Sequence, residues 1–197
     1  MISILDYGAG NLQSVRNTLD ALDAGYELVR DPASLSRATK IIFPGVGHFG
    51  QMIRALDAMQ IRSTLLERIA SGIPFFGICL GMQALFESSE EAPELSGLGL
   101  FPGAVRRFPA DARVPHMGWN ELTTTTPSRL LSDAGAHPYV YFAHSYYAPV
   151  TAATAATCTY TTPYTAVLES GNIHGVQFHP EKSGPIGLRI VRNFVEL

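Results

Sequence analysis

Pro74-Phe75-Phe76-Gly77-Ile78-Cys79-Leu80-Gly81-Met82-Gln83-Ala84-Leu85-Phe86 is the stretch that decides how this chain is read. Residues 74–78 form a short apolar run suited to a buried strand, and Met82, Leu85 and Phe86 then recur at helical spacing. Between them Gly77-Ile78-Cys79-Leu80-Gly81 must carry the chain from strand to helix in very few residues. Such a G-x-C-x-G turn is a nucleophile elbow with cysteine in the serine position. Glycines on both sides relieve crowding around the central Cβ. The turn is expected to leave Cys79 exposed at the first turn of a helix, where unpaired N–H groups and the helix dipole favour an anionic sulfur.

Working outward from the elbow, the chain before it alternates. Residues 1–7 read as a strand entering Gly8-Ala9-Gly10-Asn11, and a helix from about Ser14 puts Val15, Leu19 and Leu22 on one face. Residues 26–29 and 40–43 read as further strands, the latter broken by Pro44-Gly45-Val46-Gly47. Helical patterns follow in Met52, Ile53, Leu56 and Met59, then in Leu65, Leu66 and Ile69, ending near Gly72. This alternation predicts an α/β fold with an open, mostly parallel central sheet and helices on both faces. Gly8-Ala9-Gly10 follows a strand like half a dinucleotide fingerprint, but the third glycine is missing at the needed spacing.

After the elbow helix come Glu87, Glu90, Glu91 and Glu94, and from about Leu100 prolines, threonines and β-branched residues dominate. Antiparallel strands are expected near 105–108, 119–123, 139–143, 166–169 and 174–178, extending the sheet. The Thr/Ala tract 151–165 contains β-formers and Pro163 and reads as a hairpin; residues 186–195 read as a closing amphipathic helix. No repeat or boundary interrupts the pattern, so residues 1–197 are expected to form a single domain.

Composition narrows the class. The chain is 46% hydrophobic and only 16% charged, which a disordered segment could not be. A net charge of −3 without a basic cluster argues against nucleic acid or an anionic membrane as the main partner. No apolar run approaches the ~18 residues of a membrane span, and Met1-Ile2-Ser3-Ile4-Leu5-Asp6 lacks the basic start of a signal peptide. Two cysteines, Cys79 and Cys158, make no disulfide framework, so a reducing cytoplasm is expected. Cys158 sits among threonines without a motif. No His, Cys and carboxylate cluster has metal spacing; neither metal nor other cofactor is expected.

Near the C-terminus stands Gly175-Val176-Gln177-Phe178-His179-Pro180-Glu181-Lys182. A strand carries His179 to its C-terminal tip, where sites of open α/β sheets lie. Pro180 fixes its own φ and biases His179 towards extended backbone, holding His179 and Glu181 in a rigid relation. A carboxylate on one imidazole nitrogen sets the tautomer, and the other nitrogen can take a thiol proton and return it to a leaving amine. Acyl transfer also needs oxyanion donors. Leu80 N–H is one, and the Pro44-Gly45-Val46-Gly47 loop can supply a second from Val46 or Gly47.

Cys79 in Gly-Ile-Cys-Leu-Gly-Met-Gln, with His179-Pro180-Glu181 downstream, resembles the triad (class I) glutamine amidotransferases. Pro44-Gly45-Val46-Gly47-His48-Phe49 and Pro115-His116-Met117-Gly118-Trp119-Asn120, together with Gln177-Phe178-His179-Pro180-Glu181-Lys182-Ser183, resemble more narrowly the branch that serves as glutaminase subunit of imidazole glycerol phosphate synthase, in histidine biosynthesis. The resemblance spans nearly the whole chain, from Asp6-Tyr7-Gly8-Ala9-Gly10-Asn11 to Asn193-Phe194. It implies a class I glutamine amidotransferase-like fold, with Cys79 as nucleophile, His179 as general base and acid, and Glu181 as its orienter. It further implies that Gln83, Glu91, His144, Ser145 and Tyr146 hold the substrate glutamine. Gly10, Asn11, Trp119, Tyr141 and Lys182 would face a cyclase subunit, a (β/α)₈ barrel that receives the ammonia in a heterodimer. Two other readings stay open on the residues alone: a freestanding cysteine hydrolase such as a γ-glutamyl hydrolase or intracellular peptidase, and a non-catalytic binding subunit.

Overall fold

The computed structural model describes all 197 residues. The first half alternates as β1 (Ile2–Leu5), α1 (Leu12–Asp20), β2 (Tyr26–Val29), α2 (Pro32–Leu35), β3 (Ile41–Gly45), α3 (Phe49–Ala58), α4 (Arg62–Ala70), β4 (Phe75–Cys79) and α5 (Leu80–Gln83). The second half is mostly strand: β5 (Phe86–Ser89), β6 (Phe101–Arg107), β7 (His116–Glu121), β8 (Thr123–Thr124), β9 (Tyr139–His144), β10 (Tyr146–Tyr147), β11 (Thr154–Tyr160), β12 (Thr162–Ser170) and β13 (Ile173–Val176). A 3₁₀ turn at Pro180–Lys182 leads into the last helix, α6 (Gly184–Val195).

The central sheet has eight strands in the order β2-β1-β3-β4-β13-β12-β11-β8. The first five are parallel, and β12, β11 and β8 add on antiparallel. β3 and β4 are buried at every residue, as strands covered on both faces must be. On one face α1 and α6 lay Val15, Leu19, Ile190 and Phe194 against Ile4, Ile42, Phe76 and Ile78. On the other, α3 and α4 lay Phe49, Ile53 and Leu65 against Leu5, Phe43 and Phe75. Phe76 and Phe194, ring centroids 5.0 Å apart, fasten α6 to β4; burying each side chain stabilises the fold by about 2–3 kcal/mol.

Three expectations need correction. β3 does not break at Pro44: it continues to Gly45, with Pro44 opposite Ile78 and Gly45 opposite Cys79. Its pairing with β1 ends at Ile42, so the strand has an open flank where a residue without an N–H is tolerated. The elbow helix is a single turn, and Phe86 instead opens β5, opposite Phe101 in β6. Its helical spacing from Met82 is overridden by that long-range pairing, which also brings two buried rings together. Finally, the antiparallel extension is only partial. β13 is antiparallel to β12 as expected but parallel to β4 on its other side, from Ile173 opposite Phe75 to Val176 opposite Ile78. β6, β7 and β9 pair in two small separate sheets, β10-β6-β5 and β7-β9, instead of extending the central one. The 151–165 tract does form a hairpin, β11 against β12, turning at Thr161 with φ +61°.

Candidate active site

The last register pair of β3 and β4, Gly45 and Cys79, brings two loops to the same end of the sheet. Cys79 is buried rather than exposed as expected, because the loops from neighbouring strands close over the elbow. It carries φ +53° and ψ −109°, a conformation costly for a residue with a side chain. Its neighbours explain how the fold holds it there. A Cβ on Gly77 would lie 2.7 Å from the Gly81 carbonyl oxygen, and one on Gly81 only 1.9 Å from that of Phe43. The elbow therefore sits backbone to backbone against itself and against β3. The glycines serve close approach; the positive φ belongs to the cysteine itself.

Cys79 lines a pocket with His179, Val46, Gly47, Leu80, Gln83 and Glu91 on one side and Pro115, Met117 and residues 143–146 on the other. His179 follows β13, so its ring reaches this pocket from the strand next to the elbow strand. His179 Nδ1 lies 2.8 Å from Glu181 Oε1, and both side chains are buried. The ring and the Cys79 sulfur line the same pocket, and the sulfur acts on the charge of the ring. Burial alone would depress the imidazole pKa, but the Cys79 charge and the bond and charge of Glu181 outweigh it and raise the pKa to about 10. The arrangement favours the imidazolium form of His179.

Ser183, to which the sequence reading gave no role, clamps the turn that holds these two residues. Its buried hydroxyl donates to the His179 carbonyl at 2.7 Å and accepts the Tyr141 N–H at 2.9 Å. The His179 N–H donates in turn to the Tyr141 carbonyl at 2.9 Å. The His-Pro-Glu turn is thereby stitched to β9.

On the facing side, neither the Val46 nor the Gly47 N–H makes a hydrogen bond within the chain. Gly47 has φ +99°, which glycine adopts freely. The Val46 carbonyl accepts the Tyr7 hydroxyl at 3.4 Å, and Glu91 Oε2 accepts the Phe49 N–H at 2.7 Å, tying the loop to the pocket wall. Val46 and Gly47, whose N–H groups are free, and Leu80 at the start of α5 line the pocket with Cys79. They form a set of donors suited to a developing oxyanion.

The segment 144–146 is anchored from behind. His144 Nδ1 donates to the Tyr146 carbonyl at 2.8 Å, and Nε2 lies 3.2 Å from both His116 Nδ1 and the Tyr164 hydroxyl. Burial pushes the His144 pKa down to about 3 and that of His116 to about 4, so both rings stay neutral. With both His144 nitrogens engaged, the segment offers the pocket its Ser145 hydroxyl, which has no partner within the chain.

Residues 10, 11, 119, 141 and 182 line the same end of the molecule rather than the pocket. Trp119 is 55% exposed on β7. It stands edge-on to Tyr141 at 6.2 Å, and Lys182 Nζ lies 5.9 Å over the Tyr141 ring. Gly10, at φ +127°, passes near the Pro44 carbonyl, and Asn11 begins α1, its side chain accepting the Ser14 hydroxyl. No three His, Cys, Asp or Glu residues are placed to hold a metal ion. No helix is long and apolar enough to cross a membrane. Cys158 is buried away from this pocket, its thiol pKa pushed up to about 11 by burial.

Gln177 is the residue that sequence reasoning missed here. Fully buried, it aims its carboxamide nitrogen at the Cys79 sulfur, 3.6 Å away. The available signal was its position: a polar side chain between Val176 and Phe178, in a buried strand end, needs a partner.

A family model described as glutamine amidotransferase class-I matches residues 3–197. The chain is 48% identical over 198 residues to the imidazole glycerol phosphate synthase subunit HisH of Methanothermobacter thermautotrophicus, covering 100% of this chain and 98% of that one. It is 43% identical over 201 residues to the chloroplastic imidazole glycerol phosphate synthase hisHF of Arabidopsis thaliana, covering 99% of this chain but 34% of that longer protein. A crystal structure of a glutamine amidotransferase superposes with a TM-score of 0.78 at 20% identity, over 99% of this chain and 97% of the other, a likeness of fold.

Proposed function

The chain belongs to the class-I glutamine amidotransferases, which hydrolyse glutamine, and among them to the HisH subunits of imidazole glycerol phosphate synthase; on that premise we propose that it supplies ammonia to a cyclase subunit through a cysteinyl thioester. The observation that carries the reading is a buried His179–Glu181 pair at 2.8 Å with a strained elbow cysteine lining the same pocket.

The Cys79 sulfur attacks the side-chain carbonyl carbon of glutamine. The carbonyl oxygen takes up the electron pair and is received by the N–H groups of Leu80 and of Val46 or Gly47; one such donor is typically worth roughly 3 kcal/mol at the transition state. His179, charged by the thiol proton and steadied by Glu181, gives that proton to the leaving nitrogen, and ammonia departs. Water then attacks the thioester with His179 as base, and glutamate is released. Gln83, Glu91, His144, Ser145 and Tyr146 hold the glutamine. Gln83 Oε1, which has no hydrogen bond within the chain, is a free acceptor for its amide or ammonium group.

Ammonia passes to a (β/α)₈-barrel cyclase that makes imidazole glycerol phosphate and the aminoimidazole carboxamide ribotide AICAR. Gly10, Asn11, Trp119, Tyr141 and Lys182 form the face that meets it in a heterodimer. The fused hisHF relative supports such a pairing. Reduced Cys79 and Cys158 suit a cytoplasmic setting. The pocket, near 220 Å³, is below the ~300–1,000 Å³ of clefts for drug-sized ligands, which favours a single amino acid over a peptide.

The test pairs the chain with its cyclase. Cys79→Ala is expected to abolish synthesis driven by glutamine while synthesis from ammonium salts continues. Retained use of glutamine would refute the role of Cys79, and efficient cleavage of peptides or polyglutamates by the isolated chain would favour a freestanding hydrolase.

A further inference from the structure

Beneath the pocket floor a line of amide groups runs from a fixed carbonyl to the nucleophile. Gln83 Nε2 lies 2.8 Å from the Tyr146 carbonyl oxygen and 3.0 Å from Gln177 Oε1. Gln177 Nε2 in turn lies 3.6 Å from Cys79 Sγ. A backbone carbonyl can only accept, so the Tyr146 oxygen requires the nitrogen end of Gln83. With that end donating, the group of Gln177 facing Gln83 must be its oxygen, because two NH₂ groups in contact would both lack an acceptor. The NH₂ end of Gln177 is then forced towards the sulfur. Neither amide has freedom to flip, since both side chains are buried and packed into the sheet end.

We propose that Gln177 is the hydrogen-bond donor that positions and stabilises the Cys79 thiolate, its orientation dictated by Gln83 from the Tyr146 carbonyl. The proposal rests on the reading of Cys79 as nucleophile. It adds to the little that α5 can offer as a dipole, since that helix is one turn of four residues. It also gives Gln83 a second duty: one end of its amide faces the substrate while the other sets the amide below it. His179 must release its proton to the leaving amine during the reaction, whereas Gln177 keeps its N–H throughout. The donor that stays in place therefore acts on the thioester sulfur as well, when that sulfur becomes a leaving group.

The experiment follows alkylation of Cys79 by iodoacetamide, a small neutral reagent, as a function of pH in the full chain. Gln177→Leu and Gln177→Glu are each expected to move the midpoint of the rate upward by about one pH unit. Their kcat for glutamine in the cyclase complex should fall about tenfold, with KM changed by less than about twofold. Gln83→Met should move the same alkylation midpoint in the same direction. In the unsubstituted protein a Gln177 side-chain amide proton should shift downfield in NMR through that midpoint, a readout independent of how the variants fold. Midpoints unchanged in the Gln177 variants, or an amide proton that does not respond, would overturn the proposal while leaving Cys79 as nucleophile. A Cys79 no more reactive than a free thiol in the unsubstituted chain would overturn both.

Discussion

Gly81 and Phe43 meet backbone to backbone: a Cβ on Gly81 would stand 1.9 Å from the Phe43 carbonyl oxygen. The turn after Cys79 is thus seated directly on the neighbouring strand, with no side chain between them to yield. Gly81→Ala is expected to destabilise the fold by at least ~2 kcal/mol, because the obstacle is main chain and cannot rotate away. Urea unfolding measures this. A midpoint equal to that of the parent would mean that the elbow can back away from β3 at no cost.

Glu181 holds one face of the His179 ring from a buried position. Glu181→Gln keeps the shape but removes the charge and invites the wrong tautomer. Glutamine hydrolysis is expected to fall by ~10²–10⁴ in kcat, with KM nearly constant. Steady-state kinetics of the cyclase complex read this directly, and a loss below about threefold would assign Glu181 a merely structural part.

Stability should depend on pH on two limbs. His116 and His144 have pKa values lowered to about 4 and about 3, so the unfolded chain binds their protons first. The stability of their neutral forms is present above about pH 6.5, the unfolded value, and drains away as pH falls towards 4 and 3. His179 is raised to about 10, so its pairing stabilises fully below about 6.5 and is lost as pH climbs through 10. His116→Phe, which keeps the ring stacked between Tyr160 and Phe142, should flatten the acid limb of urea midpoint against pH. An acid limb as steep as the parent's would remove His116 from the cause.

Trp119 is exposed and touches Tyr141 by an edge. Trp119→Ala is expected to leave the melting temperature of the isolated chain within about 2 °C. It should weaken association with the cyclase by roughly 30-fold, the loss usual for a buried aromatic anchor of ~2 kcal/mol. Calorimetric titration of the two subunits decides it, and unaltered affinity would move the interface elsewhere.

Much of this architecture is legible in local pattern. Residues 74–78 are apolar without alternation because β4 is covered on both faces, and α6 shows its inward stripe at Ile190, Val191 and Phe194. What local pattern could not reveal was set at long range. Phe86 keeps helical spacing from Met82 yet pairs with Phe101, and residues 173–176 look the same in sequence whether β4 runs beside them parallel or antiparallel. In the site, Cys79, His179 and Glu181 stood out because turns and a proline mark them. Gln177 and Ser183 did not, since their partners lie 98 and 42 positions away and only the folded chain brings them together.

The elbow passes between the two cores of the molecule. Cys79 packs with the layer built by α1 and α6, whereas Leu80, the next residue, packs with the layer built by α3 and α4. Cys79 and Leu80 are therefore rooted in separate halves of the interior, and the geometry of the elbow follows how those halves are aligned. Packing on either side of the sheet therefore bears on the elbow, and this enzyme keeps its cysteine at the seam between its two interiors.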